Sequence, residues 1–190
     1  MERYDKADLE AAKQSLQNGG VILYPTDTIW GLGCLMNDIQ AFKTIFNLKN
    51  RAKDKKCILL FASEIQLERH FDEIPEQAWQ LMEYAEKPLT LVLDGAKNIP
   101  KHLCSADGSL AVRLVKDPFC QHLIQQLKSP IVSTSANLSG HPSPKSFAQV
   151  SEDLKHQVDY VVRHKQAFES RSASTIIKLG LNGDIKILRK

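Results

Sequence analysis

The sequence predicts an α/β domain built on one mixed sheet with flanking helices. Along most of the chain, short apolar runs alternate with segments of helical periodicity, which argues for crossover connections and parallel strand pairs. Near the end, two apolar runs are joined by Asn182-Gly183, the mark of an antiparallel hairpin. Crossovers and hairpins in one chain call for both strand directions in the sheet. The expected organisation is a single domain over 1–190, long enough to bury a sizeable core.

Asp5 to Gln17 carries Leu9, Ala12 and Leu16 on one face and stops at Gly19-Gly20, which predicts the first helix. Val21 to Tyr24 is a short apolar strand. Pro25 to Gly33 is too rich in hydroxyls and glycine for a plain strand. Asp38 caps a helix whose face is Phe42, Ile45, Phe46 and the apolar stem of Lys49. Cys57 to Ala62 is a strand, and Ser63-x-x-Gln66 is a capping box opening the next helix. Pro75 suits the first turn of a helix bearing Ala78, Leu81, Met82 and Ala85. Strands follow at Leu89 to Leu93 and Leu110 to Val115, with a loop over 96–109 between them. Asp117-Pro118 opens a helix with Phe119, Leu123 and Leu127 on one face. Ile131-Val132 is a short buried strand. Ser146 to Leu154 reads as a short helix, and Val158 to Val162 as a strand. Ser174 to Leu179 and Ile185 to Leu188 form the closing hairpin.

Composition narrows the function classes. A net charge of +3 permits a basic patch but does not by itself argue for nucleic acid. The four cysteines (Cys34, Cys57, Cys104, Cys120) form no C-x-x-C pair, so neither a zinc site nor a disulfide framework is expected. The first residues are charged with no apolar run behind them, and no stretch approaches a membrane span. The expected location is the cytoplasm, with no membrane partner. There is no G-x-S-x-G elbow and no G-x-x-x-x-G-K-[ST] loop, and the six histidines lack metal spacing.

What the chain offers instead is cations and hydroxyls. After Ile131-Val132 come Ser133, Thr134, Ser135, Asn137 and Ser139, then Gly140. Hydroxyls and an amide at a strand end suit a ligand site in an open α/β sheet, and equally suit a polar turn. Thr26 and Thr28 project to one side if their segment is extended. Lys49, Arg51 and Lys55 lie in a connection between helix and strand, where they are either a solvated face or phosphate holders. Arg113 sits inside the apolar strand Leu110-Ala-Val-Arg-Leu-Val115. If buried there it needs an anionic partner, and if at an edge it snorkels to water. Such a set suits a site that positions a triphosphate and stabilises charge rather than one offering a nucleophile.

Y-P-T-D-T-I-W-G-L-G (24–33), K-N-R-x-x-x-K (49–55), L-A-V-R (110–113) and S-T-S-A-N-L-S-G (133–140) come in this order. With S-A-S-T-I-I and the closing I-L-R, the set resembles the YrdC domain family over residues 20–189. The resemblance is to its short-form threonylcarbamoyl-AMP synthases (TsaC-like), because no further C-terminal domain follows. It implies a twisted open mixed sheet around a large basic central cavity. The implied reaction makes L-threonylcarbamoyl-AMP and pyrophosphate from L-threonine, bicarbonate and ATP with Mg²⁺, for modification of tRNA.

Carried over by motif, the resemblance places Thr26, Thr28, Arg113 and Ser174 at the threonine. It places Lys49, Arg51, Lys55, Thr90, Ser133, Ser135, Asn137 and Arg189 at the nucleotide, with Lys49 and Arg51 the catalytic pair. Downstream threonylcarbamoyl transferases are implied partners, with tRNA or double-stranded RNA as further ones. The chain departs from the family pattern at Ala52 and Lys56, where proline is usual. It departs also at Glu86-Lys87 in a usually uncharged turn, and at Lys178 where Asp is common. Two other functions fit parts of the pattern. One is a non-catalytic RNA-binding module, expected to have lost K-x-R or S-A-N, both present here. The other is the carbamoyl-phosphate-using relative found within hydrogenase maturation proteins, which carries cysteine pairs absent here.

Overall fold

The computed structural model describes residues 4–50, 57–169 and 172–190. Among the described residues nine strands form one sheet, in the order β7-β1-β2-β6-β3-β5-β4-β8-β9. In chain order the elements are α1 (Lys6–Gln17), β1 (Ile22–Tyr24), β2 (Gly31–Leu35), α2 (Ile39–Leu48), β3 (Ile58–Phe61) and α3 (Glu64–Glu68). Then come α4 (Glu76–Tyr84), β4 (Leu89–Leu93), β5 (Leu110–Leu114), α5 (Pro118–Leu127), β6 (Ile131–Ser135), α6 (Glu152–Gln157), β7 (Tyr160–Val161), β8 (Thr175–Leu179) and β9 (Ile185–Arg189). The β1–β7, β3–β5 and β4–β8 pairs are parallel and the rest antiparallel, the mixed α/β sheet expected from sequence.

Period-2 alternation divides the interior into two layers. Leu23, Leu32, Leu59, Phe61, Leu91, Val112 and Val132 point to the face covered by α2, α3 and α4. Ile22, Tyr24, Leu60 and Ile131 point to the other, where Leu9, Ala12 and Leu16 of α1 and Phe119, Leu123 and Ile124 of α5 pack on them. Those two helices cover only part of their face. Among the described residues no helix covers the rest of it, along β6, β5, β4 and β8. No helix among the described residues is long and apolar enough to cross a membrane.

Local chemistry explains most of the element ends. Asp5, Asp38, Ser63, Asp117 and Ser151 each cap a helix by accepting a backbone N–H. The Ser63 box closes one residue early: Gln66 Oε1 accepts from Ala62 N at 2.9 Å rather than from Ser63 N. Pro75 takes the N-cap position of α4 rather than its first turn.

Three expectations need correction. Gly31–Leu35 is a buried central strand, although it begins inside the stretch 25–33 read as too rich in hydroxyls and glycine for one. Its glycines answer a close approach: a Cβ on Gly33 would stand 2.7 Å from Tyr24 Cε1, and one on Gly31 3.2 Å from Ser133 Oγ. The strand after Pro130 runs on through Ser133, Thr134 and Ser135. The helix expected over 146–154 is a 3₁₀ turn at Phe147–Gln149 followed by α6, because Val150 and Ser151 are extended and Ser151 caps anew. The closing hairpin stands, with Gly183 at φ +85° in its turn.

Candidate active site

The uncovered part of the sheet floors a cavity of about 510 Å³. Thr26, Thr28, Arg113, Ser133, Ser135, Ser174 and Arg189, all site candidates by sequence, line it together. Residues about 150 apart in the chain meet because β8 and β9 join the sheet beside β4. The site reading of the Ser-rich stretch therefore fits its geometry better than a plain turn. Ser133 and Ser135 face the cavity floor by alternation, and the Tyr24 hydroxyl donates to Ser133 Oγ at 2.8 Å. Burial pushes the Tyr24 phenol well above its usual range, so it stays a neutral donor.

Arg113 is the centre of the deeper end. It is 6% exposed, which excludes the snorkelling alternative. Its Nη1 donates to Asp27 Oδ1 at 2.9 Å and to Thr28 Oγ1 at 2.9 Å, and its Nε donates to Thr90 Oγ1 at 3.3 Å. Thr90, fully buried behind the wall, meets Ser174 Oγ at 2.8 Å. Arg189 donates from Nε to Ser174 O at 3.0 Å and from Nη2 to Ser174 Oγ at 3.3 Å. Burial, then Arg113, hold the Arg189 guanidinium below its ordinary pKa.

The Pro25–Trp30 segment bends rather than staying extended, and the two threonine hydroxyls meet because of that bend. Thr26 Oγ1 donates to Ile29 O at 2.8 Å, accepts from Thr28 N at 3.0 Å, and lies 2.8 Å from Thr28 Oγ1. With the Thr26 proton spent on Ile29, the Thr28 hydroxyl donates to Thr26. Thr28 Oγ1, already accepting from Arg113, then keeps one lone pair. The site thus presents an acceptor at Thr28, and a donor at Arg113 Nη2, which has no acceptor among the described residues. The segment is anchored at both ends: Cys120 Sγ donates to Pro25 O at 3.2 Å and Ala136 N to Trp30 O at 2.8 Å.

Lys49 is placed differently from the expectation of a phosphate-facing cation. It is 1% exposed and does not line the cavity. Its ammonium donates to Ser135 O, to Asn137 O at 2.5 Å and more weakly to Asn137 Oδ1 at 3.5 Å, while Lys49 O accepts from Ser139 N at 2.9 Å. Lys49 therefore braces the loop after β6 from behind, and the half-buried Asn137 is part of that brace. Asn50, at φ +47°, turns the chain out of α2. Arg51, Lys55, Ala52 and Lys56 lie outside the described residues.

At the outer rim the register sets Ala111, Val92 and Lys178 side by side. Lys178, where the family pattern has Asp, donates to Asp107 Oδ2 at 2.7 Å, and Asp107 Oδ1 accepts from Ser109 N and Oγ. The Lys178 bond, then those from Ser109, hold the Asp107 carboxyl well below the usual carboxylate range. A lowered carboxylate pKa stabilises the fold above the unfolded value of about 4 and loses that contribution as pH falls below it. Both side chains are substantially exposed, so the effect is small and salt-screened. Lys178→Met is expected to melt slightly below the parent at pH 7, and the gap to begin shrinking below about pH 4 and to close only as the pH approaches the much lower folded-state pKa of Asp107. Thermal melts across pH check this, and a gap of constant size would rule it out.

Asp27 is the residue that the sequence reading passed over. The signal was present: a buried arginine needs an anion, and T-D-T is the acidic point among the candidate stretches.

Residues 14–190 match the Sua5_yciO_yrdC family, described as telomere recombination. A threonylcarbamoyl-AMP synthase of Pseudoalteromonas translucida is 33% identical over 184 residues, covering 95% of this chain and 97% of its own. The crystal structure of P. abyssi Sua5 complexed with L-threonine aligns with a TM-score of 0.83 and 33% identity, over 94% of this chain and 52% of that one. This chain therefore spans about half the length of P. abyssi Sua5. E. coli YciO, at 23% identity and a TM-score of 0.86, shares the fold. A family match over nearly the whole chain, with a relative a third identical end to end, makes this chain a member of the Sua5/YciO/YrdC family.

Proposed function

We propose that the chain makes L-threonylcarbamoyl-AMP from L-threonine, bicarbonate and ATP, releasing pyrophosphate, and so supplies the threonylcarbamoyl group for tRNA modification. The observation that carries the reading is the paired polarity of the deep end, a donor at Arg113 Nη2 beside an acceptor at Thr28. An α-amino acid has the complementary pair, a carboxylate for Arg113 and an ammonium for Thr28. Ser174 and Thr26 complete that end. Ser133 and Ser135 on the floor and Arg189 beside Ser174 would hold the nucleotide, with Arg51 and Lys55 offsetting phosphate charge. Lys49, Asn137 and Thr90 act by holding those groups in place. In the reaction, the ammonium gives up a proton to solvent, and the free amine adds bicarbonate with loss of water to give a carbamate. A carbamate oxygen then attacks the α-phosphorus and pyrophosphate leaves. The protein's share is alignment and charge stabilisation.

Among the described residues no cluster of His, Cys, Asp and Glu could hold a metal ion. Mg²⁺ would therefore enter on the triphosphate, which suits its preference for phosphate oxygens and water. The name of the P. translucida relative and the threonine bound by P. abyssi Sua5 support the assignment. We place the protein in the cytoplasm, with downstream transferases as its partners. The test is pyrophosphate release from ATP, Mg²⁺ and bicarbonate, with and without L-threonine, beside Arg51→Ala. Threonine-dependent release that falls by roughly 100-fold or more in the variant is expected, the scale of losing one charge-stabilising group. No release with any amino acid, with salt-sensitive RNA binding intact, would favour the binding-module alternative.

A further inference from the structure

We infer that Asp27 is a positioning residue for amino-acid binding, acting through Arg113 without touching the substrate. The inference rests on the threonine reading of the deep end. The side chains of Asp27 and Arg113 are 9% and 7% exposed and pair at 2.9 Å. Asp27 does not line the main cavity. It reaches Arg113 from behind the wall, and its second oxygen accepts from Lys116 N at 3.3 Å, which ties it to the end of β5.

The hydrogen-bond count shows what this achieves. A guanidinium has five N–H donors. Asp27 and Thr28 take both protons of Nη1, and Thr90 takes the one on Nε. Only Nη2 is left for a ligand. Asp27 therefore decides which edge of Arg113 faces the cavity and fixes its plane. It also balances a cation that would otherwise be buried and alone. Without that balance, Arg113 would hold any small anion that entered, and inorganic phosphate would compete with the carboxylate. Asp27 in this way makes the site selective for a carboxylate that also brings an ammonium to Thr28.

The experiment is calorimetric titration of L-threonine into wild type, Asp27→Asn and Asp27→Ala, with thermal melts of all three. It is repeated in inorganic phosphate, and pyrophosphate-release kinetics are measured alongside. In Asp27→Ala, threonine affinity is expected to drop by about 10- to 100-fold, the usual cost of losing an orienting partner behind a binding group. KM for threonine should rise in step, KM for ATP should stay within about 3-fold, and phosphate should become a stronger competitor. Asp27→Asn keeps an acceptor for Nη1 and should recover most of the affinity while remaining phosphate-sensitive. Equal threonine binding in wild type and Asp27→Ala overturns the role of Asp27 alone. Parallel rises in both KM values that follow the loss of melting temperature reduce Asp27 to a structural residue and also overturn it. Wild type that binds no threonine overturns the amino-acid reading itself, and this inference with it.

Discussion

Lys49→Met is expected to lower the stability by about 2–4 kcal/mol and to abolish pyrophosphate release, although Lys49 does not line the cavity. The ammonium holds Ser135 O, Asn137 O and Asn137 Oδ1 together behind the strand end. A methionine keeps an apolar chain of similar length at this buried position, so the cost is electrostatic. Carbonyl oxygens that accepted from a charge are left in a buried place, at roughly 1–3 kcal/mol for each unsatisfied group. Ser135 O keeps a bond from Asn137 N at 3.0 Å, whereas Asn137 O keeps none among the described contacts. The loop after β6 is then free to move, and Ser135 with it.

Lys49→Arg sharpens the prediction. Oxygens converging on one nitrogen suit a compact ammonium, and a planar fork cannot replace it. Both variants are therefore expected to lose activity, while a lysine whose role was only to attract phosphate would be partly replaced by arginine. Chemical denaturation and pyrophosphate release measured on the same preparations check this. Retention of activity in Lys49→Arg would return Lys49 to the phosphates.

How much of this could be read beforehand depended on how local each cause was. The helix starts were legible because a cap is a local event: Asp5, Asp38, Ser63 and Asp117 declare themselves within four residues. The hairpin at Asn182-Gly183 was legible for the same reason. Gly31–Leu35 was not, because its glycines are required by Tyr24, Ile131 and Ser133, and no local pattern records a ring lying across a strand. Most of the site was found through ordered motifs, since Thr28, Arg113, Ser133 and Ser174 come together only through sheet order. Motifs identified Lys49 but could not give the direction of its side chain, and Asp27 emerged only once Arg113 was seen to be buried. Residue type announces chemistry, but side-chain direction is set by distant partners.

The Arg113–Asp27 pair allows stability and function to be separated in one experiment. Arg113→Met leaves the Asp27 carboxylate buried with, among the described residues, only the Lys116 N–H for a partner. Breaking a buried pair on one side costs about 3–5 kcal/mol, which for a chain of this size is a fall of roughly 6–20 °C in melting temperature. Joining it to Asp27→Leu removes both charges and fills the space with apolar atoms, a replacement that is often neutral or favourable. The double variant is therefore expected to regain most of the lost stability. It should nevertheless bind no threonine and release no pyrophosphate, because the Nη2 donor is gone. Thermal melts and threonine-dependent pyrophosphate release of the two single variants and the double one form the complete cycle. If the double variant were as unstable as Arg113→Met, the cost would lie in lost packing around Thr28 and Thr90 rather than in the orphaned carboxylate. If it were stable and active, Arg113 would not be the carboxylate anchor, and the amino acid would have to be held from Arg189 and Ser174 instead.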